Sequence, residues 1–181
     1  MERIKIHDKV FKLYLNYSDI QAAVDKVATK INADLKGCET PPIFLGVLSG
    51  SFMFLGDLMK RIEFACDVVF IRLASYEGVN STGEVKEIMG LTTSVKDRTV
   101  VVVEDIVDTG TTIVELERML RAAGAKEIKI CTLLLKPDNY KGDVKIDYPA
   151  LQIPSDFIVG YGLDYNQLGR QYKDIYVIDE E

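Results

Sequence analysis

Glu104, Asp105 and Asp108 place three carboxylates within five residues, and Asp108-Thr109-Gly110-Thr111-Thr112 adds hydroxyls and a glycine directly behind them. Apolar residues at helical spacing, Ile113, Leu116 and Leu120, begin just after that string. The first turn of a helix carries unpaired N–H groups, so a hydroxyl-rich turn at this point suits an anion. Carboxylates repel a phosphate unless they have something else to hold, and sugar hydroxyls or a divalent cation fill that role. The pattern therefore points to a ligand with a phosphate at one end and a cis-diol beside it, a ribose 5-phosphate. Rival phosphate motifs, Gly-x-x-x-x-Gly-Lys-Ser/Thr and Gly-x-Gly-x-x-Gly, do not occur in the chain.

The elements that must position these groups are legible as well. Val100 to Val103 are β-branched and stiff, and four in a row suit a strand covered on both faces, with Glu104 and Asp105 where the apolar run stops. A helix is predicted behind the turn, from Ile113 to Ala123. Upstream, Ser18-Asp19-Ile20-Gln21 has the form of a capping box, and Ile20, Ala23, Val24, Val27, Ala28 and Ile31 recur at helical spacing up to Gly37. Pro41-Pro42 precedes a strand over 43–48, which runs into Ser49-Gly50-Ser51 and a helix over 52–62. A strand over 67–73 leads to Ala74-Ser75-Tyr76 and then to a polar, glycine-bearing stretch, 77–90, expected as a lid. A further strand over 129–135 ends at Lys136-Pro137, and 143–181 reads as a less regular hood. Strands alternating with helices predict an α/β fold with a doubly wound, mainly parallel sheet that gathers its ligand at the strands' carboxyl ends.

Composition narrows the partners. With 181 residues, 48% of them hydrophobic, the chain is expected to form one domain over 1–181. A net charge of -6 leaves no basic footprint for nucleic acid. No apolar run approaches the ~20 residues of a membrane span, and the opening Met1 to His7 lacks a signal-peptide core, so a cytoplasmic protein without a membrane partner is expected. Cys38, Cys66 and Cys131 form no Cys-x-x-Cys pair, which suits a reducing compartment and argues against zinc. His7 is the only histidine and stands alone near the start, so Ser-His and Cys-His catalysis find little support.

Val100 to Thr112 resembles the phosphoribosyl pyrophosphate (PRPP) signature of type I phosphoribosyltransferases. Three more stretches are similar to the 6-oxopurine branch of that family, the hypoxanthine-guanine phosphoribosyltransferases: Leu48 to Phe52, Ser75-Tyr76 with Ser81-Thr82-Gly83, and Phe157 to Asp164 with Arg170. The resemblance implies the type I fold with a small hood. It also implies purine salvage, in which 5-phosphoribosyl passes from PRPP to N9 of hypoxanthine or guanine and gives IMP or GMP, with magnesium and with release of pyrophosphate. Residue by residue, it implies that Glu104 and Asp105 hold the ribose hydroxyls directly or through metal, and that Asp108 to Thr112 hold the 5-phosphate. Asp108 would also handle the proton of purine N7. Ser49, Gly50, Ser75, Tyr76 and Arg170 would lie along the PRPP phosphates. Lys136 would face the 6-oxo group, Phe157 would stack on the ring and Ile158 would offer backbone groups to the base edge. Asp164 is grouped with these purine residues and resembles a magnesium ligand beside Glu104 and Asp105. A homodimer or homotetramer is implied. One departure stands out, because the family's common Leu-Lys-Gly is here Leu48-Ser49-Gly50, leaving the backbone amides of residues 49–51 without the lysine. The alternative reading is a regulatory protein of PRPP-binding fold that controls a nucleic-acid partner; the joint presence of Lys136, Phe157 and Asp164 favours catalysis.

Overall fold

In the computed structural model, which describes residues 2–75, 85–91 and 93–179, the chain runs β1 (Arg3–Ile6), β2 (Lys9–Leu15), α1 (Tyr17–Leu35), β3 (Ile43–Leu48), α2 (Phe52–Met59), β4 (Asp67–Ser75), β5 (Val85–Met89), β6 (Thr99–Val107), α3 (Thr111–Ala122), β7 (Glu127–Leu135), β8 (Tyr148–Gln152), β9 (Ile158–Val159) and β10 (Ile175–Ile178). Six strands form one sheet in the order β5-β4-β3-β6-β7-β8. All neighbours in it are parallel except β4 and β5. The predicted doubly wound α/β architecture is what the chain adopts.

The valine run explains the layering. Val101 and Val103 pack with Ile20, Val24 and Ile31 of α1 and Phe54 and Leu58 of α2, whereas Val100 and Val102 pack with Ile113, Leu116 and Leu120 of α3. Successive side chains of a strand point to opposite faces, so four apolar residues in a row are needed when helices cover both. β3 follows the same rule, with Phe44 on one face and Ile43, Leu45 and Val47 on the other. From β3 the chain turns one way to β4, and from β6 it turns the other way to β7. The β3–β6 border is therefore the point where the strand order reverses, and a crevice opens outside the carboxyl ends of those two strands.

Several boundaries differ from those expected. Strand β6 does not stop at Val103 but pairs with β7 through Val107, opposite Leu135, so Glu104 and Asp105 are strand residues. The cap of α1 is Asn16, whose Oδ1 accepts from Asp19 N at 3.0 Å and whose amide donates to Asp19 Oδ2 at 2.7 Å. Ser18 only donates to Asn16 Oδ1, so the cap sits two residues earlier than the capping-box pattern suggested. Helix α2 ends at Met59, where Lys60 and Arg61 close a tighter turn on Leu58 O.

The hood is built from both ends of the chain. β1, β2, β10 and β9 form a four-stranded antiparallel sheet, while β8, expected within the hood, pairs with β7 in the main sheet. Buried Tyr148 of β8 donates to Asp34 of α1 at 2.9 Å, which fastens that edge. Exposed His7 sits in the turn between β1 and β2. Of the expected lid, Val85–Met89 is β5, an edge strand antiparallel to β4; Tyr76 and residues 77–84, with Ser81, Thr82 and Gly83, lie outside the described residues.

Candidate active site

The crevice is a cleft of about 540 Å³ between the ends of β3 and β6, the start of α3 and the hood. Ser49, Gly50, Glu104, Asp105, Thr109, Thr111, Thr112, Asp164 and Arg170 all line it. Arg170 is the only cation among the described residues that do so.

Its shape depends on glycines at close approaches. A Cβ on Gly50 would overlap the carboxylate of Asp105, and a Cβ on Gly162, whose φ is 99°, would overlap the carbonyl of Gly50. Three segments distant in sequence thus touch through missing side chains. Arg170 adds two more contacts, donating to Gly162 O at 2.7 Å and pairing with Asp164 Oδ1 at 2.7 Å. Asp164 Oδ2 accepts from Gln167 N at 2.7 Å.

The electrostatics are set by burial. Glu104 is 6% exposed. Loss of water around it, and then the neighbouring charge of Asp105, push its carboxyl well above the usual range. Burial likewise pushes Asp105 up to about 6, against the Ile106 N–H donated to it at 2.9 Å and the charge of Arg170. Two carboxyls taken out of water in this way favour protons, sugar hydroxyls or a cation over an empty site.

At the start of α3, Gly110 has φ 87° and no side chain caps the helix, so its first amides face an anion without competition. The aromatic ring of Tyr140 covers Gly110 closely enough to exclude a Cβ. Asp108 lies one turn earlier and meets the residues that follow β7. Lys136, 7% exposed, donates from Nζ to Asp108 Oδ2 at 3.0 Å, and Asn139 donates from Nδ2 to Asp108 Oδ1 at 2.7 Å. Burial raises the Asp108 carboxyl, but the two donors and the lysine charge outweigh it and hold the group below its ordinary value. Phe157, 45% exposed, has Tyr165 edge-on at 5.7 Å and Phe11 at 6.2 Å. Ile158, buried in β9, pairs with Val177.

The expected residues therefore divide. Of those assigned to ribose and phosphate, Ser49, Gly50, Glu104, Asp105, Thr109, Thr111, Thr112 and Arg170 share the cleft, whereas Asp108 and Gly110, like Lys136, Phe157 and Ile158, do not line it, and Asp164 falls with Arg170 and Asp105 instead of beside Lys136. Ser75 ends β4 and Tyr76 lies outside the described residues. Asn139 and Gly162 were not anticipated. Asn139 carried only a turn signal in Pro137-Asp138-Asn139, and Gly162 only its place in Gly160-Tyr161-Gly162.

The family model described as the phosphoribosyl transferase domain matches residues 14–166. The hypoxanthine-guanine phosphoribosyltransferase of Staphylococcus aureus (strain Mu50) is 37% identical over 166 residues, 91% of this chain and 92% of that protein. The chain belongs to the hypoxanthine-guanine phosphoribosyltransferase family. Solved structures agree: a hypoxanthine phosphoribosyltransferase from Staphylococcus aureus superposes with a TM-score of 0.86 at 36% identity, covering 93% of this chain and 91% of that one. The Trypanosoma cruzi hypoxanthine phosphoribosyl transferase gives 0.87 at 30% identity, covering 97% and 95%. In open α/β sheets, ligands bind in such a crevice, outside the carboxyl ends of the strands where their order reverses.

Proposed function

We propose that the chain moves the 5-phosphoribosyl group of PRPP to N9 of hypoxanthine or guanine, giving IMP or GMP and pyrophosphate in purine salvage. The observation that carries this reading is the Asp108–Lys136 pair at the rim of the phosphate cradle. An ionised carboxylate beside an ammonium, at 3.0 Å, matches one edge of a 6-oxopurine, whose N7–H donates and whose O6 accepts. In the free protein the two groups satisfy each other; a bound base takes the place of each for the other. With its carboxyl held low, Asp108 is ionised near neutral pH and takes the N7 proton as N9 bonds to the ribosyl carbon and pyrophosphate departs. Phe157 offers a half-open ring for stacking, and Ile158 offers backbone groups to the base edge.

On the sugar side, the amides and hydroxyls of Thr109 to Thr112 receive the 5-phosphate. Glu104 and Asp105 take the ribose hydroxyls and favour positive charge on the ribosyl group in the transition state. Ser49, Gly50, Ser75, Tyr76 and Arg170 serve the phosphates of PRPP. Among the described residues no three acidic, histidine or cysteine groups close into a metal cage by themselves. Magnesium still fits, because it is commonly held by one or two carboxylates with the remaining positions filled by substrate oxygens and water. Glu104, Asp105 and Asp164 are the residues that would hold it, and the bound ion would neutralise the leaving pyrophosphate.

We take the chain to work as one domain on small molecules, without a nucleic-acid or membrane partner. Its three unpaired cysteines suit the cytoplasm. A homodimer or homotetramer is supported by exposed Phe52 on α2 and exposed Val68 and Phe70 on β4.

The test is incubation with PRPP, magnesium and each purine base while nucleotide formation is followed by chromatography. IMP and GMP are expected, with adenine used ~10⁴-fold less well because its 6-amino donor meets the Lys136 donor. Lys136→Ala should lose far more kcat/KM with hypoxanthine than with adenine. Efficient AMP formation by the wild type, or no nucleotide from either 6-oxopurine, would overturn the assignment.

A further inference from the structure

We propose that Asn139 is a positioning residue for Asp108, pinning its Oδ1 so that Oδ2 is presented to the purine, and that Ser155 anchors the far end of the Asn139 amide. The inference rests on the role given to Asp108 above and adds two residues to that chemistry.

Asp108 has one partner on each oxygen, Asn139 Nδ2 at 2.7 Å on Oδ1 and Lys136 Nζ at 3.0 Å on Oδ2. These two donors are not equivalent during turnover. The Lys136 ammonium is wanted at the 6-oxo group, so its hold on Oδ2 must loosen when a base arrives. Asn139 has no such second duty and remains the fixed donor. Without it, the carboxylate would be free to rotate about its side-chain bonds at the moment when its lone pair must aim at N7–H, and a small misplacement of a reacting group is costly.

The relay also has a built direction. The hydroxyl of Ser155 donates to Asn139 Oδ1 at 2.6 Å. The ionised Asp108 only accepts, so it takes the NH₂ and leaves the amide oxygen to Ser155, whose hydroxyl holds that end of the amide in place. The flipped amide would set an oxygen against a carboxylate, with no proton between them. Ser155 stands two residues before Phe157, in the segment that links β8 to the hood. The carboxylate is thereby tied to the stretch that carries the stacking ring.

One local element delivers both donors. Lys136-Pro137-Asp138-Asn139 closes a turn in which Asn139 N donates to Lys136 O at 3.2 Å, and Lys136 N donates to Val107 O at 3.0 Å. Proline at the second position of such a turn presets its backbone angle. Lys136 at the first position and Asn139 at the fourth consequently reach the two oxygens of one carboxylate from a rigid mount.

The experiment compares wild type, Asn139→Ala, Ser155→Ala, Asp108→Asn and the Asp108→Asn/Asn139→Ala double variant, with kcat and the KM values for hypoxanthine and PRPP, and a thermal melt of each. Asn139→Ala should lower kcat by ~10-fold to ~100-fold, the range expected when a hydrogen bond to a charged group is lost, with PRPP KM and the melting temperature nearly unchanged. Ser155→Ala should lose less, since the amide loses its far anchor but keeps its donor on Asp108. In the Asp108→Asn background, Asn139→Ala should change kcat by no more than ~2-fold, because the two residues act as a unit. Wild-type kcat in Asn139→Ala, or an equal loss with and without the Asp108 carboxylate, overturns the inference while leaving the proposed function standing. A wild type inactive on both 6-oxopurines overturns the two together.

Discussion

Asp105→Asn isolates what the buried carboxylates do to the ligand-free fold. Its carboxyl is pushed to about 6 from 3.8, so between those values the folded chain binds more protons than the unfolded one. Stability must then fall as pH rises through that window, and the whole penalty is present above it. A shift of about two units corresponds to roughly 3 kcal/mol. Asparagine is nearly isosteric, keeps an oxygen for the Ile106 N–H and carries no charge, so it should recover much of this. It also removes the charge that helps push Glu104 up, an effect of the same sign. For a chain of this size 1 kcal/mol moves the melting temperature by roughly 2–4 °C, and the expected gain at pH 7.5 is up to ~10 °C. The assay is differential scanning calorimetry of both proteins without ligands at pH 7.5 and pH 5. At pH 5 the wild-type group is protonated in the folded state, and the gap should shrink. Transfer activity of the variant should collapse even as its stability rises. A variant that melts at or below the wild type at pH 7.5, or an advantage of equal size at both pH values, would refute the reasoning.

Two further substitutions probe the hood side of the cleft. Asp164→Ala should weaken the magnesium dependence of PRPP use, since an oxygen donor to a hard cation is lost and Arg170 loses its partner; a magnesium titration that overlays the wild type would make Asp164 a turn residue only. Gly162→Ala places a Cβ against Gly50 O at a backbone angle that favours glycine, and should destabilise by ~2 kcal/mol or more while raising PRPP KM; an unchanged denaturation midpoint would show that the loop shifts freely.

What could be read from the sequence was local. Two-sided burial of Val100 to Val103 follows from residue type alone, and the helix start behind Thr109 and Gly110 follows from hydroxyls placed before a helical pattern. The strand boundary failed at Glu104 and Asp105 for a physical reason: hydropathy says that carboxylates leave a core, while pairing with β7 keeps these two inside it. Their burial is unfavourable for the fold by itself and makes sense only with a ligand to meet them. The hood failed differently. Lys12 and Tyr14 separate Phe11, Leu13 and Leu15 as in a strand, but beyond its neighbour β1, β2 pairs with β10, more than 150 residues on, and no local pattern shows that second pairing. Asn139 was a turn residue until the turn was seen to return it to Asp108.

The serine at position 49 gains its meaning from the same geometry. Among the described residues the cleft sets Glu104, Asp105 and Asp164 against Arg170 alone, and Arg170 is already paired with Asp164. A lysine in the first loop would have lessened that imbalance; Ser49 and Gly50 offer only backbone amides and a hydroxyl. Pyrophosphate entering such a site meets fixed negative charge at short range, where repulsion is weakly screened because the carboxyls are out of water. The protonated form of Glu104 removes part of this, and a divalent cation removes more. On the proposed function, a chain that lacks the loop lysine should therefore lean harder on magnesium to admit PRPP. The close approach of Gly50 to Asp105 sets that first loop directly against the buried carboxylate, with no side chain between them.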